Sequence, residues 1–152
     1  MNEWDKYFFK FCDITAEKSR DRSTKVGAVI VGPDNEIRSV GYNGFPRGIN
    51  DDVDERYERP LKYKYTEHAE RNAIYNAGRV GIPLKGCRIY INSLPPCCDC
   101  ARAIIQSGIT DVNYIVDGEI PERWQADCDM SVGMLEEAGV VVRKFNRSDL
   151  HD

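Results

Sequence analysis

Three cysteines fall within four residues in the run Pro96-Cys97-Cys98-Asp99-Cys100, and this cluster constrains the fold more than any other feature of the chain. Six cysteines in all (Cys12, Cys87, Cys97, Cys98, Cys100 and Cys128) are many for 152 residues. The opening Met1-Asn2-Glu3-Trp4-Asp5 has neither the basic start nor the apolar core of a secretory signal. The expected address is the cytoplasm, where thiols stay reduced and clustered cysteines point to a metal before a disulfide. Pro96 starts a predicted helix. Cys97 and Cys100 then lie one turn apart on one face, whereas Cys98 is turned away by roughly 100°.

A second segment, His68-Ala69-Glu70, also opens a predicted helix. Helix N-termini carry partial positive charge, which favours the thiolate form that binds zinc. His68, Cys97 and Cys100 supply three ligands and leave a fourth tetrahedral position open for water, the arrangement of a catalytic zinc and not of a closed structural one. Glu70 as a ligand would close that position, so its expected role is proton carrier. A lone C-x-x-C also fits a structural zinc knuckle or a redox pair, and a lone H-x-E carries little information. A closed site needs a fourth ligand from Cys98, His151 or a distant cysteine. Together, H-x-E and P-C-x-x-C with a strand between them form the signature of zinc nucleobase deaminases.

The rest of the chain alternates helical and extended patterns. Residues 3–19 place Trp4, Tyr7, Phe8, Phe11, Cys12, Ile14 and Thr15 at helical spacing, an aromatic face expected to be core. Lys25–Val31 and Ile37–Tyr42 flank the turn Gly32-Pro33-Asp34-Asn35 and predict a hairpin. Asn43–Lys64 is expected to be a long functional loop. Helices follow from His68 to about Gly81, from Pro96 to Gly108, and through Met130, Met134, Leu135 and Ala138 to Gly139. Strands are expected at Cys87–Asn92, Val112–Val116 and Val140–Lys144, with a frayed tail from Asn146 to Asp152. The order α-β-β-α-β-α-β-α-β predicts an α/β fold, a three-layer α/β/α sandwich around a mixed five-stranded sheet, as a single domain over 1–152.

Several blocks resemble the cytidine deaminase superfamily and, within it, the deoxycytidylate (dCMP) deaminases. They are Gly41-Tyr42-Asn43-Gly44-Phe45-Pro46-Arg47-Gly48 with Asn50-Asp51-Asp52, His68-Ala69-Glu70 with Asn72-Ala73-Ile74, and Cys97–Cys100 with Ile104-Ile105-Gln106-Ser107-Gly108-Ile109. The resemblance runs from about Ser19 to Phe145 and implies hydrolysis of dCMP to dUMP and ammonia, with one zinc per chain. It also implies that the Ala69 N–H and carbonyls around Ser93 and Leu94 read the base edge, and that Asn43 reads the sugar. Arg22, Ser23, Thr24 and Lys25 supply charge and hydroxyls for a 5′-phosphate. Trp124 is the aromatic expected to stack on the base, ahead of Tyr114 and Phe45. Cys12, Cys87, Cys98 and Cys128 are expected to be inert.

The same resemblance implies a regulatory nucleotide site at Gly44, Pro46, Arg47, Gly48, Asn50, Asp51 and Asp52, where dCTP activates and dTTP inhibits. Mg²⁺ would accompany the effector, with Asp51 and Asp52 as hard ligands. It further implies a homohexamer. A net charge of −4 argues against a partner bound by blanketing a nucleic-acid backbone, and no apolar run is long enough for a membrane span. Alternatives are a deaminase acting at the dCTP level or on both nucleotides, a tRNA adenosine or guanine deaminase that the loop block fits poorly, and a catalytically silent zinc-stabilised interaction module. The 152 residues leave no room for the reductase domain of a bifunctional riboflavin enzyme.

Overall fold

The structure, a computed structural model, describes residues 1–151. Helix α1 spans Glu3–Ala16 and is started by a reciprocal cap, in which the Asp5 N–H donates to Asn2 Oδ1 and the Asn2 N–H to Asp5 Oδ2. Strands β1 (Gly27–Val31) and β2 (Ile37–Tyr42) form the expected hairpin. After the short helix α2 (Lys62–Tyr65) come α3 (Ala69–Val80), β3 (Arg88–Ile91), α4 (Cys98–Gln106), β4 (Asp111–Val116), α5 (Glu122–Glu137) and β5 (Val141–Asn146). The sheet order is β2-β1-β3-β4-β5, with β1 antiparallel to both neighbours and β3, β4 and β5 parallel. The mixed five-stranded α/β sandwich read from the sequence is what the chain adopts.

Strand periodicity sorts the core into two layers. Ala28, Ile30, Ile89, Ile91, Val112, Tyr114 and Val116 pack against Ala69, Ala73, Ala77, Ala101, Ile104 and Leu135 of α3, α4 and α5. Val29, Val31, Tyr90 and Ile115 point the other way, onto Phe8, Phe9 and Cys12 of α1. Small residues bring α3 close to the hairpin. A Cβ on Gly41 would lie 2.3 Å from the Ala73 nitrogen, so the position accepts only glycine unless helix and strand part. Asn72 and Asn76, one turn apart on α3, donate to the Tyr42 and Val40 carbonyls of the edge strand (2.8 Å each) and blunt that edge.

Three expectations change. The aromatic face of α1 is split: Phe8 and Phe9 are fully buried, but Trp4, Tyr7 and Ile14 are exposed, because one helix covers this side of the sheet and its flanks stay wet. The 43–64 loop is not structureless, since Asp54–Tyr57 forms a 3-10 turn and α2 begins at Lys62. The tail is not frayed over Arg147–His151, which form a second 3-10 turn. Both terminal nitrogens of Arg147 donate to the Asp13 carboxylate at 3.0 Å, and Leu150 packs against the α1 layer. Asp152 lies outside the described residues. Among the described residues no helix is long and apolar enough to cross a membrane.

Candidate metal and nucleotide site

Two helix starts converge beyond the carboxyl end of β3, where open α/β sheets place their ligands. Cys97 is the residue that caps α4: its sulfur accepts from the Cys100 N–H at 3.5 Å, so the helix start itself orients both sulfurs. His68 occupies the same position before α3, in extended conformation and with no side-chain capping bond of its own, which leaves the imidazole free to turn toward α4. Its Nδ1 lies 3.4 Å from both Cys97 Sγ and Cys100 Sγ. A tetrahedral zinc, with usual Zn–S and Zn–N lengths, separates sulfur from nitrogen by about 3.6 Å, so the three atoms are spaced to fit one ion. Cys98, on the next helical position, is not in this group.

The electrostatics agree with a metal-ready centre. The hydrogen bond from Cys100 holds the Cys97 thiol down to about 4, against the cost of burial and with further help from His68. Cys100 is correspondingly pushed up, since it keeps the proton that the two sulfurs share. The hydrogen bond to Cys97 raises His68, against desolvation. Glu70, in the first turn of α3, is only 6 % exposed, and burial raises its carboxyl above the ordinary range despite hydrogen bonding to its own backbone and the pull of His68. A buried carboxyl whose proton is held more tightly than in water can serve as a proton carrier.

Arg71 ties the two ligand-bearing segments together. Its guanidinium binds the Glu67 carboxylate through Nε at 2.6 Å and reaches Asp99 of α4 at 3.5 Å. Ser131 of α5 donates to the Pro96 carbonyl, which anchors the approach to α4 from behind.

His68, Glu70 and Cys97 line a cavity of about 630 Å³, a volume suited to a small organic ligand. Of the other residues singled out from the sequence, Asn43, Ala69, Thr24, Ser93, Leu94 and Trp124 also line it. Asn43 is already engaged, because its Oδ1 accepts from the Val26 N–H (2.9 Å) and its Nδ2 donates to the Thr24 carbonyl (2.9 Å). One amide hydrogen remains for a ligand. Trp124 stands in the first turn of α5, 42 % exposed.

Arg22 and Lys25 are not among the lining residues. Arg22 pairs with Asp54 at 2.7 Å and lies over the Tyr57 ring, drawn away by the 3-10 turn that the sequence did not announce. Ser23 is likewise absent from the lining; its backbone N–H donates to Asp21. Tyr114 is buried in the core, and Phe45 stacks on Tyr57 with ring centroids 4.8 Å apart. Asp51 and Asp52 do not present free carboxylates: Arg20 binds them at 3.2 and 2.7 Å. Arg47 donates to Asn76, tying its loop to α3.

Lining residues that the sequence did not single out include Asp21, Lys62, Tyr63, Thr66, Arg71 and Asp127, together with Cys98 and Cys128 from the set expected to be inert. Arg71 and Cys98 had a legible signal as the residues that directly follow Glu70 and Cys97, and Thr66 as one standing two residues before His68 in what proves to be extended chain. Asp21, Lys62, Tyr63, Asp127 and Cys128 arrive through tertiary contacts.

Comparison with known proteins adds three findings. The family described as the cytidine and deoxycytidylate deaminase zinc-binding region matches residues 2–116. Human deoxycytidylate deaminase is 38 % identical over 151 residues, covering 94 % of this chain and 80 % of that protein, and an uncharacterized deaminase of the luxG 3′ region of Aliivibrio fischeri is 42 % identical over 143 residues, covering 93 % of each. Among solved structures, the cyanophage S-TIM5 dCMP deaminase in complex with dCMP and dUMP superposes with a TM-score of 0.77 at 25 % identity, covering 95 % of this chain and 98 % of that one.

Proposed function

Because the chain belongs to the cytidine and deoxycytidylate deaminase zinc-binding family, we propose that it is a zinc-dependent hydrolase that converts dCMP to dUMP and ammonia. The observation that carries this reading is the meeting of His68 Nδ1 with two cysteine sulfurs, beside a buried carboxylate that is not one of them and in one cavity with it. A zinc ion held by His68, Cys97 and Cys100 supplies Lewis acidity that brings the pKa of water toward neutrality. Glu70 takes the proton from the attacking water at its carboxylate and returns it to N3 of the pyrimidine, which opens C4 to addition. The same carboxylate then takes the water's remaining proton from the new C4 hydroxyl and passes it to the amine, so that the C4=O bond forms as the C4–N bond breaks and ammonia leaves. The Ala69 N–H and the carbonyls around Ser93 and Leu94 hold the base edge, Asn43 reaches the sugar with its remaining amide hydrogen, and Thr24 contributes at the polar wall. Trp124 flanks the mouth and offers a stacking face.

In this reading the 152 residues act as one domain with one zinc each, in a cytoplasmic homohexamer. The segment holding Gly44, Pro46, Arg47, Gly48, Asn50, Asp51 and Asp52 is proposed to bind dCTP as activator and dTTP as inhibitor. Magnesium at Asp51 and Asp52 then has to compete with Arg20 for the same carboxylates. The test is dUMP formation from dCMP by the zinc-loaded protein, with and without dCTP and Mg²⁺, and with dCTP and deoxycytidine offered in parallel. Conversion of dCMP that dCTP accelerates supports both parts. Conversion that dCTP leaves unchanged removes the regulatory part. Turnover of dCTP in place of dCMP moves the activity to the triphosphate, and turnover of nothing leaves a zinc-stabilised module.

A further inference from the structure

Among the described residues, one buried side-chain polar atom lacks any hydrogen-bond partner, and it is Thr66 Oγ1. Buried hydroxyls are normally paired, so this one invites a partner from the cavity that Thr66 lines together with His68 and Asn43. Its placement has a local cause. Thr66 (φ −80°, ψ 123°) and His68 (φ −78°, ψ 152°) are both extended. Glu67 between them is pinned to Gly44 by reciprocal backbone hydrogen bonds of 3.1 and 2.8 Å. Alternate side chains of extended backbone share a side, so Thr66 and His68 face the cavity while Glu67 turns the other way, onto Arg71. Two residues of extended chain span roughly 6.6 Å, a distance comparable to that from the amine-bearing carbon of a cytosine, across the ring, to the sugar.

The neighbouring groups specify what kind of atom fits there. Lys62 accepts the Thr66 N–H at its carbonyl (3.0 Å) and donates from Nζ to Asp21 Oδ1 (3.1 Å). The Ser23 and Thr24 N–H groups donate to that same oxygen, at 2.9 and 3.0 Å, so Asp21 Oδ2 is the free acceptor of a carboxylate only 5 % exposed. The Lys62–Asp21 pair cancels its own charge. A phosphate brought to this wall would meet a carboxylate oxygen, whereas a neutral hydroxyl can donate to Asp21 and accept from Thr66.

Resting on the deaminase reading above, we infer that Thr66 Oγ1 and Asp21 Oδ2 bind the 3′-hydroxyl of the substrate's deoxyribose, which makes Thr66 a specificity-determining residue held in register by the Gly44–Glu67 bridge. The phosphate is bound elsewhere on the cavity rim.

The experiment compares kcat/KM of the zinc-loaded full chain, Thr66→Val and Thr66→Ser on dCMP and on 2′,3′-dideoxycytidine monophosphate, with melting temperatures of the free proteins. Thr66→Val is expected to lose about tenfold on dCMP, the size of one neutral hydrogen bond, chiefly through KM. It should lose less than about twofold on the dideoxy substrate. Thr66→Ser restores dCMP turnover, and the melting temperature of the valine variant holds or rises, because an unpaired buried hydroxyl has been removed. Equal losses on both substrates, or a lower melting temperature, overturn the inference in favour of a structural threonine. A loss that persists on the dideoxy substrate but disappears on deoxycytidine also overturns it, by assigning the hydroxyl to the phosphate. Failure of the parent protein to deaminate dCMP at all is a different result, which removes the deaminase reading itself.

Discussion

The two ends of the cavity region are built by different rules. At the metal end, two helix starts hold His68, Glu70, Cys97 and Cys100, and each side chain is placed by its distance along the chain from a helix cap. In the 43–64 segment, by contrast, charged groups are arranged by long-range pairing: Arg20 reaches Asp51 and Asp52, and Arg22 reaches Asp54, across more than thirty residues. The first arrangement preorganises chemistry, because a helix start cannot shift one ligand without shifting the others. The second neutralises surface charge and leaves the segment adjustable, as exposed ion pairs contribute little stability.

The largest effect that separates the two should come from Cys97→Ala. It removes a ligand and also the acceptor of the Cys100 N–H, so both metal affinity and the start of α4 suffer. Zinc content by elemental analysis is expected to fall from one per chain toward none, and the melting temperature of the zinc-loaded preparation to drop with it. Full zinc retention in this variant would break the assignment of the ligand set. Glu70→Gln should come next. It keeps metal and fold but lowers kcat by about 10⁴-fold, at the upper end of what one acid–base group contributes, while zinc content and melting temperature stay at parental values. Turnover near the parent level would remove Glu70 from the proton path.

A smaller effect lies on the far face of the sheet. Asp13 is half-buried, and although burial alone would raise it, hydrogen bonds from Arg147 and Asn92 hold its carboxyl below the ordinary carboxylate value. The unfolded chain therefore binds this proton more readily than the folded one. The pairing contributes fully above pH ~4, the unfolded carboxylate value, and is lost as pH falls through the lower folded value. Asp13→Asn should lower the melting temperature near neutrality by a few degrees and flatten its fall below pH ~4. Parallel acid curves for variant and parent would show that Asp13 titrates alike in both states.

These contrasts explain what was readable from the amino-acid order. Sheet and helices were legible because Val29, Ile30, Ile89, Ile91 and Ile104 recur at strand and helix periods. The metal group was legible because C-x-x-C at a helix start confines two sulfurs to one face. Arg22 and the Asp51–Asp52 pair share one feature that the sequence hides: a charged side chain in a loop looks unpaired until its distant partner is known, here Asp54 for the first and Arg20 for the other two. The tail misled through the same feature, since nothing near Arg147 announces Asp13. Lys62 is the converse, an ordinary-looking lysine made part of the cavity wall by its buried bond to Asp21.

The smallest expected effect tests the adjustable segment directly. Arg20 is 60 % exposed, and each of its two ion pairs belongs to a class that contributes at most about 1 kcal/mol. Arg20→Ala should therefore shift the melting temperature by no more than a few degrees and leave dCMP turnover without effector within about twofold. The same substitution frees two adjacent carboxylates that now share one guanidinium. If Arg20 and a divalent cation compete for Asp51 and Asp52, the variant should respond to dCTP at a lower Mg²⁺ concentration than the parent. If its Mg²⁺ dependence is unchanged, the two carboxylates serve the loop alone and the regulatory cation does not bind there. Because the metal end is fixed by its helix starts, zinc content should be insensitive to this change. A fall in zinc content would show that the two ends are coupled, contrary to the separation argued from their construction.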